Sequence, residues 1–529
     1  MRIKIIFFLI TTTILFYAQS IYTPLENGVY LFLERMSVKQ IVYVHNEVKP
    51  WTNKEILQYL KVVEDKKAVL TNSERKQLEY FLEEFGESAK IFDLLPVRYK
   101  DEKFSLSGNI IASASYGVFG DADVLKRKVG INFYGSYNKW FNAYIRFSDA
   151  GETGDAYDDL RNISPERGYD FFEVDNGIEY SDIIGGLVID FDWGNIRITK
   201  DYQNWGSGRD GQLILSDKAV SYPALSVTLK PVNWFRFYYM HGWLNSGVVD
   251  SSSIRRINSS NISSPESYSF IPKYIATNML SLTYKGLIDY SLGNSIVYWG
   301  DIRPEMFIPF MFFKYLDRDT GKGVFNDGNG QIFVDLSLYY PKNFNFYATV
   351  FFDVLSIKSI VGDFRHSKWL GYTFGGKHVG LFGQGIDLFA EYTRISPWVY
   401  EHKDDATTYK HIDYTLGHWI GQNADLLTLG VNYYPRYDLF VSFYAKFLRK
   451  GGLLDIWYAY NGNVDEEFLY GERHNETVLG LKIKYDLLPY LKIVAEGAIS
   501  DVTDELPGRT KSFYLGNNNS FSLGFSYGM

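Results

Sequence analysis

Three short segments combine aromatic, charged, His and Gly residues at unusual density. They are 201–211 (DYQNWGSGRDG), 390–400 (AEYTRISPWVY) and 416–423 (LGHWIGQN). Flat aromatic faces stack on sugar rings, while carboxylate and guanidinium groups bind hydroxyls or sugar carboxylates. The pattern favours a polysaccharide site. Its candidate contacts are Trp205, Arg209, Asp210, Arg394, Trp398, His418 and Trp419.

Other motifs do not support a catalytic or cofactor site. Residues 206–211 match the G-x-G-x-x-G dinucleotide fingerprint, but no helical pattern follows, so close backbone approach explains the glycines better. The Asp317–Gly321 stretch lacks the later oxygen ligands of a calcium loop. The cluster formed by His402, Asp404, Asp405, His411 and Asp413 lacks metal-ligand spacing and is typical of a solvated loop. No local nucleophile signature accompanies the Ser, His and Asp residues, so we predict no metal, no cofactor and no enzyme.

The composition favours an exported membrane protein. Residues 1–20 read as a signal peptide: basic Arg2 and Lys4, a short apolar stretch, then Ala18 and Ser20. Removing it changes the net charge from -8 to -10, which argues against a nucleic-acid partner. Aromatics make up 18% of the chain while the mean hydropathy is only -0.17. This balance suits a barrel whose strands alternate between lipid-facing and lumen-facing residues.

Residues 21–100 are predicted to form a small helical bundle. Three capping boxes start at Thr23, Thr52 and Thr71, each with Glu three residues later. Apolar residues then repeat at helical spacing, as in Ile56, Leu60 and Val63. Three short helices make a small core, so we expect this unit to pack against something larger.

Residues 101–529 are predicted to form the barrel, because the apolar period changes to two from about Phe104. The last residues alternate most clearly, with Phe521, Leu523 and Phe525 separated by Ser or Gly. Strands of about 10 residues imply an antiparallel transmembrane β-barrel of about 18 strands. A soluble sandwich also alternates, but its strands are usually shorter. The polar inserts 251–267 and 317–330 are predicted to be extracellular loops.

The chain resembles the Wzi capsule-assembly family of outer-membrane proteins. The resemblance rests on Trp205–Ser216, on Glu391–Arg394 with Trp398–Tyr400, and on Leu416–Gly421, together with the helical start. It implies an 18-stranded barrel blocked from the periplasm by the helical bundle. It also implies a non-catalytic lectin that holds capsular or related polysaccharide at the cell surface.

We therefore predict an outer-membrane lectin that is monomeric and whose partners are surface polysaccharide and outer-membrane lipid. A porin or polysaccharide export channel is the alternative, although a porin does not need a plug of about 70 residues. An outer-membrane hydrolase is a further alternative that would require an acid–base or nucleophile set on the membrane-facing rim. For any single site residue, an aromatic girdle or a salt bridge in the lumen is an equally simple explanation.

Overall fold

The computed structural model describes residues 22–85, 97–138, 140–160, 165–168, 171–256, 266–319, 328–353, 369–383, 385–452, 456, 467–488 and 490–528. The predicted signal peptide, the predicted helix stop at Gly86 and the terminal Met529 lie outside these residues.

Eighteen long strands in the described part of the chain form a closed antiparallel barrel, which confirms the predicted fold and strand number. They are β1 Phe104–Phe119, β2 Ala122–Tyr137, β3 Phe141–Thr153, β4 Gly177–Phe191, β5 Gly194–Asp201, β6 Tyr222–Val232, β7 Phe235–Val249, β8 Phe270–Tyr284, β9 Ile288–Trp299, β10 Asn329–Leu338, β11 Phe344–Phe352, β12 Leu370–Val379, β13 Ile386–Ile395, β14 Ala424–Arg436, β15 Leu439–Lys450, β16 His474–Leu488, β17 Leu491–Asp504 and β18 Gly516–Tyr527. Each strand pairs with the next, and β18 closes the barrel on β1.

The short strands add small ladders to this barrel. Val97–Lys100 pairs with β1 and Phe172–Val174 pairs with β4. Three two-residue ladders lie outside the barrel sheet: Val48–Lys49 with Asn204–Trp205, Arg255–Arg256 with Glu266–Ser267, and Lys410–His411 with Tyr414–Thr415.

Period-two alternation sorts the side chains between the bilayer and the lumen. On β18 the exposed Phe521, Leu523 and Phe525 form an outward apolar face, as predicted from their spacing. Trp140, Trp193 and Trp234 are exposed in the turns at one end of the barrel, where they form an aromatic girdle. No helix among the described residues is both long and apolar enough to cross a membrane.

The two ends of the barrel differ in the length of their connections. Turns such as 192–193, 233–234 and 437–438 join strands at one end, whereas connections such as 202–221 and 396–423 join strands at the other. Outer-membrane barrels place short turns in the periplasm and long loops outside the cell. We therefore assign the long-loop end to the cell surface.

The N-terminal residues fold into three helices, α1 Gly28–Val38, α2 Asn53–Asp65 and α3 Asn72–Phe85. The capping boxes at Thr52 and Thr71 are confirmed: each Thr hydroxyl accepts from the Glu N–H three residues later, and that Glu carboxylate accepts from the Thr N–H. The helices share one core, in which Phe32, Leu33, Met36, Ile56, Leu60, Val63, Leu78, Phe81 and Phe85 are buried.

The capping box predicted at Thr23 is wrong. Helix α1 begins later, and Asn27 caps it by accepting from the Val29 N–H. The Thr23 hydroxyl instead donates to Asn53 Oδ1, at 2.7 Å, and so ties the start of the chain to α2. A tertiary contact therefore competes successfully with the local capping preference.

Charged side chains fix this helical unit inside the short-turn end of the barrel. Glu55 on α2 accepts from Lys230 and Arg236, at 3.0 and 3.1 Å. On α1 the Arg35 guanidinium donates to Asp387 of β13, at 2.6 Å. The Asn343 N–H, in the turn after β10, donates to the Val38 carbonyl at 3.0 Å. The expectation that the helices pack against something larger is therefore met by the barrel itself.

One predicted extracellular loop is partly regular structure. Phe313–Asp319 forms a short helix, α4, and β10 starts at Asn329, so both ends of the 317–330 insert belong to regular structure. Residues 320–327 lie outside the described residues.

Candidate functional site

Two long connections fold back into the barrel from the long-loop end. They are the 202–221 loop, between β5 and β6, and the 396–423 loop, between β13 and β14. Their residues form the largest buried apolar cluster together with lumen-facing residues of β6 to β15. Most residues of the three motif segments lie in these loops, whereas 390–395 belong to β13, so the fold brings the loop parts of the segments together inside the lumen.

Buried carboxylates on the lumen wall hold the backbone of both loops. Glu391 on β13 accepts from the N–H groups of Arg209 and Asp210, at 2.6 and 2.9 Å. Asp335 on β10 accepts from Ser207 Oγ at 2.6 Å, and Asp353 accepts from the Tyr400 N–H at 2.7 Å. Charge-assisted hydrogen bonds of this kind are about twice as strong as neutral ones, so each carboxylate acts as an anchor for its loop.

The loops also bind each other directly. The Ser216 N–H donates to the Leu416 carbonyl at 2.7 Å, and Tyr400 Oη–H donates to the Leu213 carbonyl at 2.8 Å. A Cβ on Gly417 would lie 2.8 Å from the Leu213 carbonyl oxygen, and one on Gly211 would lie 2.7 Å from the His418 ring. These glycines therefore permit close approach between loops, as expected for residues 206–211, and no helix follows them.

Three of the predicted contact residues are buried between these loops. Trp205 is 1% exposed, Trp398 is 4% exposed and His418 is not exposed. Trp205 pairs with Val48 of the N-terminal segment, and the Trp398 N–H donates to Gln422 Oε1 at 2.9 Å. In this arrangement their rings pack against protein, and no sugar can stack on them unless the loops move.

Arg209, Asp210 and Trp419 lie together where the packed loops meet open lumen. The Trp419 indole N–H donates to the Asp210 carbonyl at 2.7 Å. Asp210 also forms a 2.7 Å ion pair with Lys446 of β15 and accepts from Thr428 of β14 at 2.9 Å. We call Arg209, Asp210, Trp419 and Lys446 the lumen cluster.

Arg209 is the exposed cation of the lumen cluster. Its guanidinium lies 3.7 Å above the centre of the Phe389 ring. Among the described residues, no carboxylate pairs with this guanidinium, because Glu391 contacts only the Arg209 backbone. The flat face is thus fixed by Phe389 while the N–H edges remain available for a bidentate acceptor.

A second set of polar residues continues the surface of the lumen cluster along β15 to β17. Tyr444 Oη–H donates to Glu496 at 2.6 Å, and Lys482 donates to the same carboxylate at 2.8 Å. Sequence reasoning missed these residues as well as Glu391 and Lys446. The phase of the alternation could have found them, since Tyr444 and Lys446 share the lumen-facing parity of β15.

Arg394 lies away from the lumen cluster. It alternates with the lumen-facing Glu391 and Thr393 on β13 and therefore points outward, near the long-loop rim. Its guanidinium lies 3.7 Å above the centre of the Phe468 ring. Outward-facing Tyr392 and Arg449 close by both bind Asp425.

The two halves of the lumen differ in how tightly they are filled. Lumen-facing residues of β8 to β10, such as Thr277, Ser291 and Gln331, are fully buried beneath the loops and the helical unit. Lumen-facing residues of β2 and β15 to β17, such as Lys126, Lys482 and Glu496, remain partly exposed. The side of the lumen that borders the lumen cluster therefore retains unfilled space.

The imidazole of His418 is neutral at neutral pH, because burial lowers its pKa to about 4.

Within the described residues, no three His, Asp or Glu side chains are grouped to hold a metal ion. In the predicted loop cluster, His411 Nδ1 accepts from the Asn245 N–H at 2.9 Å.

Comparison with known proteins identifies one family and several similar folds. The family model described as "Capsule assembly protein Wzi" matches residues 188–503. No match was found among curated protein sequences. The structure of Wzi from Escherichia coli, described as an outer-membrane protein involved in group 1 capsule assembly and a carbohydrate-binding β-barrel, has a TM-score of 0.59 at 12% identity. That match covers 96% of this chain and 100% of that one.

Two further structures are less similar. OccAB2 of Acinetobacter baumannii has a TM-score of 0.41 at 12% identity, covering 80% of this chain and 97% of its own. OprD of Pseudomonas aeruginosa has a TM-score of 0.41 at 9% identity, covering 80% and 94%. We base no inference on these two.

Proposed function

The chain belongs to the Wzi capsule-assembly family of outer-membrane barrels, and on this premise we propose that it binds exported polysaccharide and retains it at the cell surface without cleaving it. The lumen cluster carries this proposal. It combines an exposed guanidinium, a partly exposed indole and an ion pair on a surface that faces water.

Arg209 and Trp419 are the proposed direct contacts. Because the guanidinium of Arg209 lies flat on Phe389, it loses little side-chain freedom when its edge binds a sugar carboxylate or a pair of hydroxyls. The Trp419 ring is fixed by its N–H bond to the Asp210 carbonyl, so it presents a stacking surface of defined orientation. An acidic polysaccharide suits this pair best.

The other predicted residues have different proposed roles. Asp210 holds Lys446 and Thr428 in place beside the binding surface. Trp205, Trp398 and His418 support the loops that carry Arg209 and Trp419, and they reach sugar only if those loops open. Arg394 faces outward, where a polysaccharide lying across the long-loop rim can touch it.

Retention, as opposed to passage, is proposed because protein enters the lumen from both ends. The helical unit occupies the short-turn end, and the two inward loops occupy the long-loop end. The tip of the 202–221 loop meets the helical unit through the pairing of Trp205 with Val48. A porin or export channel requires an open path past both, and only the side of the lumen along β2 and β15 to β17 is left partly unfilled.

The test is binding of the cells' own purified surface polysaccharide to detergent-solubilised barrel, with neutral dextran as a comparison. We expect Arg209→Ala to weaken binding by about tenfold or more, since a charge-assisted hydrogen bond contributes about 1.5–3 kcal/mol. Trp419→Ala should weaken it about fivefold, because an aromatic contact adds about 1 kcal/mol beyond area. Arg209→Lys should recover only part of the loss.

Matched controls come from the opposite end of the barrel. Arg436→Ala and Trp234→Ala remove the same side-chain types near the short turns and should leave affinity unchanged. Unchanged binding in both lumen-cluster variants would remove that cluster from the site. Release of shortened oligosaccharides by the unmodified protein would show an enzyme, and passage of polysaccharide across liposomes containing it would favour the export channel.

A further inference from the structure

Residues 300–319, which follow β9, run over the outer surface of the barrel, and we call them the wall segment. Its Phe310 ring stacks on Phe237 at 4.3 Å between centroids, and Phe307 stacks on His241 at the same distance. Phe237 and His241 alternate along β7 with Arg236 and Tyr238, which face the lumen and contact the helical unit. The wall segment therefore packs on the lipid-facing side of β7 to β9.

Polar side chains on the strands beneath the wall segment donate hydrogen bonds to the carbonyls of its irregular backbone. Asn278 of β8 points outward and donates to the carbonyls of Pro309 and Met311, at 2.8 and 2.7 Å. Tyr239 Oη–H donates to the Met306 carbonyl at 2.8 Å. Within hydrocarbon an unpaired carbonyl costs several kcal/mol, so irregular backbone persists there only where such partners exist.

A second asparagine supports the first. Asn294 of β9 donates to Asn278 Oδ1 at 2.7 Å and accepts from the Lys314 N–H at 3.3 Å. Asparagine is a poor choice for a strand surface that faces only lipid. Its presence at two neighbouring outward positions is explained if both exist to bind the wall segment.

The outer side of the wall segment is apolar and exposed. Phe310 is 68% exposed, and Ile308, Phe312 and Tyr315 are also exposed. Lipid-facing Leu292 of β9 and Leu336 of β10 are exposed beside it, so the apolar surface continues from the barrel wall onto the segment.

The segment reaches well below the long-loop rim. Phe310 lies against Phe237, whose neighbours across β8 and β9 are Leu280 and Leu292. Leu292 lies six residues before Tyr298 near the rim, which corresponds to about 20 Å along the strand. The tip of the segment is therefore at the depth of the apolar belt.

We propose that the wall segment is a re-entrant element that descends from the cell-surface rim along the outside of the barrel, with its outer side in contact with the acyl chains of the outer membrane. The bilayer is the proposed occupant because the exposed apolar face is continuous with the lipid-facing wall. This contact is independent of polysaccharide binding in the lumen.

Single spin labels in reconstituted vesicles test this proposal, and the absence of native cysteine makes each label unique. Phe310→Cys is compared with the lipid-facing reference Leu292→Cys and the loop reference Leu506→Cys. We expect the label at 310 to collide with oxygen more often than with a polar nickel chelate, as at 292. Chelate access like that at 506 would overturn the proposal. Exclusion of both reagents would overturn it as well, since a second copy or another protein would then cover the segment.

A second substitution tests whether the hydrogen bonds from Asn278 hold the wall segment against the barrel. Asn278→Leu removes both hydrogen bonds to the segment, so the label at 310 should gain mobility and chelate access. Tyr290→Leu changes an exposed lipid-facing position and should leave the label unchanged. Unchanged collision rates in the Asn278→Leu protein would show that these hydrogen bonds do not hold the wall segment in place. The first measurement retains Asn278, so it decides the proposal even if that substitution prevents assembly.

Discussion

At the scale of single residues, Glu391 organises the lumen cluster without belonging to its exposed surface. Its two carboxylate oxygens accept from consecutive N–H groups of the 202–221 loop, and one of them also accepts from Tyr347 Oη–H at 2.7 Å. Because all three donors are protein groups, the carboxylate is satisfied and has a structural role. The orientation of Arg209 therefore depends on a residue that touches no ligand.

We predict that Glu391→Gln leaves the barrel assembled but loosens the 202–221 loop. The amide retains one acceptor oxygen, yet its NH₂ group faces an N–H donor and leaves that donor unpaired, at a cost of about 1–3 kcal/mol. Polysaccharide affinity should fall, and protease should cut the loop faster. Limited proteolysis and polysaccharide binding provide the check. Both are measured on protein that has folded into a barrel, as shown by its faster migration on gels when it is not boiled.

Glu496→Gln is the matched control, because Glu496 also lies on the lumen wall but holds only Tyr444 and Lys482. It should leave loop cleavage unchanged. Equal cleavage rates in the Glu391→Gln and unmodified proteins would contradict the anchoring role.

Sequence reasoning selected three segments that lie close together in the fold, but it could not assign each side chain its environment. Trp205 and Trp419 both lie in aromatic, Gly-rich stretches, yet one is buried against the helical unit and the other borders open lumen. The difference arises from how two loops, far apart in sequence, pack on each other. Residue type predicts stacking chemistry, whereas access depends on this tertiary packing.

At the scale of elements, ion pairs join the helical unit to the barrel. Burial alone would raise the pKa of Glu55, but the charges and hydrogen bonds of Lys230 and Arg236 outweigh it and hold the pKa well below its usual value. The pKa of Glu34 is lowered in the same way against Lys377 and Lys49. A carboxyl whose pKa is depressed by docking stabilises the docked form above its undocked pKa, near 4.3. That stabilisation is lost as the pH falls below this value.

Acid should therefore release the helical unit. We predict that ion conductance through the barrel in planar bilayers stays low near pH 7 and rises reversibly as the pH falls below about 4. In the double variant Glu34→Gln, Glu55→Gln the conductance near pH 7 should already be higher, and the acid-dependent increase should be smaller.

Glu79→Gln serves as the control, because Glu79 is exposed on α3. It should conduct like the unmodified protein at every pH. An undiminished acid response in the double variant would show that other groups control docking.

Most elements could be predicted because their signals are local. Alternation marked the strands, and two Thr–Glu capping boxes marked the starts of α2 and α3. The start of α1 was missed because Thr23 binds Asn53 of another helix. The course of the wall segment was missed because its polar partners, Asn278 and Asn294, lie on strands whose outward face is ordinarily apolar.

At the scale of the whole molecule, the barrel is filled from both ends by parts of the same chain. The division into a signal peptide, a helical unit at 21–100 and a barrel at 101–529 remains a prediction, as does the occlusion of the barrel by the helices. The contacts of α1 and α2 with β6, β7 and β13 support it.

Deleting residues 22–85 behind the signal peptide should turn a non-conducting protein into one that conducts. The two inward loops stay anchored to Glu391, Asp335 and Asp353, so conductance should remain below that of an empty barrel of this size. Shortening the 202–221 loop in the deletion variant should raise it further. Single-channel recording gives both values, and porin-like conductance of the intact protein would contradict the plug.

The ladder that pairs Val48 with Trp205 has a thermodynamic consequence. One end of this connection belongs to the helical unit and the other to the loop that carries Arg209. Suppose that the polysaccharide binds more tightly when the helical unit is docked. The gain in binding free energy must then equal the gain in docking free energy that bound polysaccharide produces. If the proposed binding holds, polysaccharide occupancy and docking of the helical unit are reciprocal quantities, and a measurement of either one on the intact barrel reports on the other.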